Sequence, residues 1–94
     1  MSEEPKAVHI IVHGDVQGVG FRAFTQRRAQ SLGLNGWTRN NYDNTVEIWA
    51  EGAQTQLESF IQSVQQGPPS GYVERLDIQW HPAKRETTRF QIRY

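Results

Sequence analysis

The residues richest in chemical possibility form one short stretch, GDVQGVGFR at positions 14 to 22, with three glycines in seven positions and then an arginine where a helix begins. A helix N-terminus carries roughly half a positive charge, so a cation there costs a few tenths of a kcal/mol unless something offsets it. Glycines in a loop between a strand and a helix let successive backbone N–H groups turn inward, and such a nest beside a helix start binds anions. The donors would be the amides of Val16, Gln17, Gly18, Val19, Gly20 and Phe21. Gly14, Gly18 and Gly20 would supply left-handed conformations or close backbone approach. Arg22 would add a planar, permanently charged fork matched to two oxygens of one phosphate. The plain alternative is a tight turn followed by a solvated arginine, and loop physics alone leaves both readings open.

Other phosphate and catalytic patterns fail. GVGFRA, positions 18 to 23, has the form of a dinucleotide-binding fingerprint, but that fold needs further βαβ units that a chain of 94 residues in this element order does not supply. A Walker loop ends in Gly-Lys-Ser/Thr, whereas this loop ends in Gly-Phe-Arg. There is no Gly-x-Ser-x-Gly elbow and no cysteine, which excludes thiolate nucleophiles, thiolate metal sites and disulfides. His9 and His13 have metal-chelating spacing for a helix, but on a strand they stand about 13 Å apart and read as structural. Asp15 and Asp43 either flank the site or form turns, and Arg27 and Arg28 read as a solvated helix face.

The elements that must position these groups follow from periodicity. AVHIIVH, positions 7 to 13, is a strand with Val8, Ile10 and Val12 on one face. Phe21, Phe24, Ala29 and Leu32 share a helical arc that Gly33 ends. GWTRN at 36 to 40 and TVEIWA at 45 to 50 form a hairpin around NYDN, and Leu57, Phe60, Ile61 and Val64 mark a second helix over 54 to 66 that GPP terminates. VERLDIQW and RFQIRY supply the last two strands. The order strand, helix, strand, strand, helix, strand, with a short extra C-terminal strand, predicts a ferredoxin-like α+β sandwich: an antiparallel sheet with both helices on one face. Right-handed crossovers then make the first strand parallel to GWTRN, with the third strand between them. Asn40, at the end of its strand, would face the glycine loop.

Residues 1–6 read as a flexible tail and 7–94 as one domain. Net charge is zero, so any anion must be bound locally rather than through a global field. The acidic, polar N-terminus is unlike a signal peptide, and no apolar run approaches the ~20 residues needed to span a bilayer. A soluble, cytoplasmic monomer is expected.

GDVQGVGFR resembles the acylphosphatase signature Gly-x-Val-Gln-Gly-Val-x-Phe-Arg without a mismatch, and GWTRN leading into TVEIWAEG resembles that family's second signature. The resemblance runs from Val8 to the C-terminus. It implies hydrolysis of the carboxyl-phosphate bond of acyl phosphates, and because amide donors and one arginine can supply both positioning and charge stabilisation, no metal or cofactor is expected. The phosphate would be held by the 16–20 amides and by Arg22, and Asn40 would orient the attacking water. One departure is Asn44, where the family usually has glycine in the hairpin; asparagine is the best non-glycine residue for a left-handed conformation. Rival classes are an RNA-binding module using Trp37 and Trp49, which lacks the aromatic RNA-binding motif on its third strand, and a phosphate-binding domain without turnover. A partner other than a small acyl phosphate, whether nucleic acid or membrane, is not expected.

Overall fold

The β-branched N-terminal run builds β1 (Lys6–Asp15), whose alternation buries Val8, Ile10 and Val12 completely and leaves His9, Ile11 and His13 partly covered on the opposite face. The computed structural model describes residues 4–94; the first three residues of the expected tail lie outside it, and the strand begins at Lys6, one position before the reading from sequence. Next come α1 (Phe21–Ser31), β2 (Asn35–Asn40), β3 (Val46–Gly52), α2 (Gln54–Gln66), β4 (Tyr72–Pro82) and β5 (Phe90–Arg93).

The strands lie in the order β4-β1-β3-β2-β5. Because β3 is antiparallel to both β1 and β2, those two run parallel, and their carboxyl ends share one edge of the sheet. The expected βαββαβ arrangement is therefore present. The fifth strand pairs parallel with β2, which makes the sheet mixed. The reason is geometric: β4 and β5 occupy opposite edges, and the segment between them runs past β3 instead of turning back as a hairpin.

The core lies between the sheet and the two helices. Val46, Ile48 and Ala50 of β3 are fully buried against Leu57, Phe60 and Val64 of α2, and Phe21 and Ala29 of α1 join them. Thr25, one turn after Phe21, is also fully buried, a position that a hydrophobic count misses. Leu76, Ile78 and Trp80 of β4 share a face as expected, yet on this edge strand Ile78 and Trp80 remain 38% and 44% exposed.

Two polar devices brace the strands. On the open face, Glu47 of β3 accepts from His9 Nε2 of β1 at 2.6 Å and pairs with Arg39 Nη2 of β2 at 2.9 Å. Burial raises the Glu47 carboxyl pKa, but the His9 and Arg39 contacts outweigh it, so the net shift is downward from 4.5. At the β2–β3 turn, Asn44 adopts φ 71°, the conformation anticipated for it in place of glycine.

A depressed carboxylate stabilises the fold above its ordinary pKa and loses that contribution as pH falls through its folded value. The stability advantage of the wild-type chain over Glu47→Gln should therefore shrink as pH drops below 4.5, which urea unfolding across that range measures. Asn44→Ala, placed at positive φ, should cost about 1 kcal/mol or more, while Asn44→Gly should not, by the same unfolding assay.

Candidate active site

Between the end of β1 and the start of α1 the chain makes a loop whose backbone is held open. Gly20 caps α1 at φ 77° with no side-chain cap, and the first turn holds no acidic residue. The first helical hydrogen bond runs from Phe24 N to Gly20 O at 3.0 Å; among the described residues, no amide from Val16 to Ala23 donates to a protein acceptor. These are the orphan donors of a helix start, extended backwards by the loop. At Gly18 a Cβ would meet nothing within 4 Å, so only its left-handed φ of 75° calls for glycine. Gly14 differs: its φ is 135° and a Cβ would fall 2.2 Å from the Tyr72 carbonyl oxygen.

A depression of about 170 Å³ brings together Val16, Gly18, Gly20, Phe21, Arg22 and Asn40. The loop after β1 and the last residue of β2 thus meet at one edge of the sheet, as the parallel relation of those strands requires. Arg22 forms no salt bridge among the described residues. Instead its Nη1 donates to the Arg93 carbonyl at 3.4 Å, and its guanidinium lies 4.8 Å from the centre of the Tyr94 ring. The site therefore gathers residues with unpaired amides, one guanidinium outside any salt bridge among the described residues, and a carboxamide. That donor set suits a phosphate group, and the residues lining the depression include no acidic side chain to repel one.

Not every expected site residue points the same way. The Gln17 side chain turns to the β2–β3 hairpin, where its Nε2 donates 2.8 Å hydrogen bonds to the carbonyls of both Asn41 and Thr45. Val19 packs against the core, and its carbonyl accepts from Ser70 Oγ at 3.0 Å. Only the backbone of these two residues can serve the loop. The hairpin is closed by Asp43, which accepts from Thr45 N at 3.1 Å and Thr45 Oγ1 at 2.6 Å; these bonds hold the Asp43 carboxyl below its ordinary pKa. Asp43 is thus a turn former. Together with Asp15 it lines a separate depression of about 530 Å³.

The histidines are structural: His9 pairs with Glu47, and His13 Nε2 lies 2.8 Å from Asp77. Among the described residues, no group of three or more His, Cys, Asp or Glu could hold a metal ion, and no helix is long and apolar enough to cross a membrane. Arg27 is solvated, but Arg28 is not simply so, since its Nε donates to Ser63 Oγ at 3.0 Å and ties α1 to α2. Reading the sequence also missed Ile92, Arg93 and Tyr94. The alternation Phe90, Ile92, Tyr94 placed Ile92 and Tyr94 on one face and Arg93 on the other; what was lacking was the knowledge that β5 lies beside β2, with Ile92 and Tyr94 next to Arg22.

The family model for acylphosphatases matches residues 8–92. The chain belongs to the acylphosphatase family. It is 44% identical over 88 residues to an acylphosphatase of Salinibacter ruber, covering 94% of this chain and 93% of that one. To an acylphosphatase of Syntrophotalea carbinolica it is 43% identical over 91 residues, covering 97% and 99%. The crystal structure of an acylphosphatase from Bacillus subtilis superposes with a TM-score of 0.92 at 40% identity, over 95% of this chain and 99% of that one. Family and fold support acyl phosphate hydrolysis as the general activity.

The Gln17 carboxamide is the link between the acylphosphatase loop and the hairpin that follows Asn40. Gln17→Leu removes two hydrogen bonds while the Asn41 and Thr45 carbonyls keep their backbone donors, Asn44 N and Asn41 N, so at the usual net worth of two such bonds it should lower unfolding free energy by about 1–3 kcal/mol in urea titrations. It should also speed amide exchange at the hairpin.

Proposed function

We propose that this chain is a metal-independent acylphosphatase in which the 16–20 amides, with Phe21 N, and Arg22 hold the phosphate while Asn40 orients water. The observation that carries this reading is the convergence, in one depression, of an uncapped helix start, a guanidinium without an anionic partner and a carboxamide from a separate strand. The loop amides and Arg22 complement a phosphate dianion, and they gain as charge spreads over its equatorial oxygens in a loose transition state.

Water attacks phosphorus opposite the acyl oxygen. A new P–O bond forms, the bond between phosphorus and the acyl oxygen breaks, and the electron pair leaves with the carboxylate. The conjugate acid of that leaving group has a pKa of about 4 to 5, like a side-chain carboxyl, so it departs without a general acid. Asn40 cannot accept a proton at neutral pH; its amide holds the water in line, and the water's proton passes to a phosphate oxygen. No step calls for a metal. All participants come from one chain, in keeping with a monomer. A chain without cysteine places no demand on an oxidising compartment, in keeping with the cytoplasm.

The test is the loss of a simple acyl phosphate in the presence of purified protein and a chelator, against the spontaneous rate. An unchanged rate overturns the proposal. Arg22→Ala should weaken competitive inhibition by inorganic phosphate roughly 10-fold or more, the value of a charge-assisted hydrogen bond. Asn40→Ala should lower kcat by about 100-fold with phosphate inhibition nearly unchanged, because misplacing the nucleophile affects turnover alone. Equal loss of phosphate affinity in both variants contradicts the separate roles.

A further inference from the structure

The sheet face opposite the helices holds a second cleft, of about 430 Å³, that hydrolysis does not use. Trp37 of β2 and Trp49 of β3 are register partners at its floor. Lys84 Nζ lies 4.6 Å from the centre of the Trp49 ring, and the Arg93 and Arg39 guanidinium groups lie 4.8 Å and 5.3 Å from that of Trp37. Arg39 is neutralised by Glu47. Lys84 and Arg93 enter no salt bridge among the described residues.

Two carboxylates line the cleft, Glu51 and Glu86; neither forms a salt bridge with Lys84 or Arg93 among the described residues, although, against the upward push of burial, the nearby Lys84 charge helps to lower the Glu51 pKa. Glu51 is already engaged by Trp49 Nε1 at 2.7 Å and by the backbone amides of Lys84 and Arg85, both at 2.9 Å. Thr87, also lining the cleft, has a buried hydroxyl oxygen with no hydrogen-bond partner. The cleft therefore offers the partly exposed Trp37 ring beside a Trp49 that is only 8% exposed beneath Lys84, two cations outside any salt bridge among the described residues and one unused hydroxyl. The complement is a small flat apolar body carrying a single anionic group. A nucleic-acid strand fits less well, because Glu47, Glu51 and Glu86 border the same face and would repel a polyanion.

The cleft also touches the candidate active site through one residue. The Arg93 side chain lies over Trp37, its carbonyl accepts from Arg22, and the next ring, Tyr94, lies against the Arg22 guanidinium. We propose that this cleft is an effector site for a small aromatic carboxylate, coupled to Arg22 through Arg93. The binding claim stands on the cleft alone, whereas the coupling claim rests on Arg22 holding phosphate.

The test uses the full chain carrying Trp80→Phe, so that Trp37 and Trp49 report by fluorescence, with benzoate as the probe. Benzoate should give a saturable change, and uncharged benzamide and non-aromatic acetate should bind about 10-fold more weakly or worse, the value of one charged contact. Lys84 is exposed, so Lys84→Met leaves the fold intact; it and Thr87→Val should both weaken benzoate binding, and Arg22→Ala should not. No saturable change, equal binding of benzamide, or full affinity in Lys84→Met overturns the site. Loss of binding in Arg22→Ala also overturns it, by placing benzoate at the loop. With benzoate saturating, the affinity of the Trp80→Phe chain for inorganic phosphate should shift about 5-fold, the scale of an ordinary coupling. An unshifted phosphate affinity overturns the coupling while leaving both the cleft and the hydrolytic reading standing.

Discussion

One strand organises the site without contributing a side chain to it. β3 lies between β1 and β2 and is antiparallel to each, so its hydrogen bonds compel its two neighbours to end at the same edge. Everything that gathers there depends on that pairing: the loop leaves β1, and Asn40 closes β2. The side chains of β3 secure the arrangement on both faces, with Val46, Ile48 and Ala50 in the core and Glu47 bridging His9 to Arg39 on the other side. A register slip of one residue would exchange those faces, burying Glu47 and exposing the aliphatic set.

The positions of loop and hairpin are further tied by a single primary amide. Both hydrogens of Gln17 Nε2 are committed to hairpin carbonyls, so the segment that carries the unpaired amides moves with the segment that carries Asn40. This is preorganisation of a kind that favours small substrates. A ligand with few atoms has little binding energy to spend on ordering a loop, so the ordering is settled during folding.

The elements and the site were legible to different depths. Helix α2 over 54 to 66 was readable because its apolar spacing is unbroken and GPP ends it. Arg22 and Asn40 were readable as neighbours once topology made β1 and β2 parallel, because α1 starts just after β1 and Asn40 ends β2; that needs only element order and handedness. The destination of the Gln17 side chain was not readable, because local sequence does not say which way a loop residue turns. The parallel pairing of β5 escaped for a related reason: the segment before it is anchored through Glu51, a strand residue that accepts from two loop amides more than thirty positions away. Contacts of that kind have no periodicity to announce them. Arg28 reads as solvated by composition, and only the packing of α1 on α2 gives it Ser63.

The start of α1 carries a positive dipole end, orphan amides and Arg22 together, with no acidic side chain in its first turn. The chain folds with this local repulsion in place, which means that part of its conformational stability is left to be supplied from solution. Any oxyanion that settles there binds the folded chain and not the unfolded one, so thermal tolerance becomes a function of the surrounding medium. An anion held at this one feature would let the ionic composition of the medium act on the fold as well as on turnover.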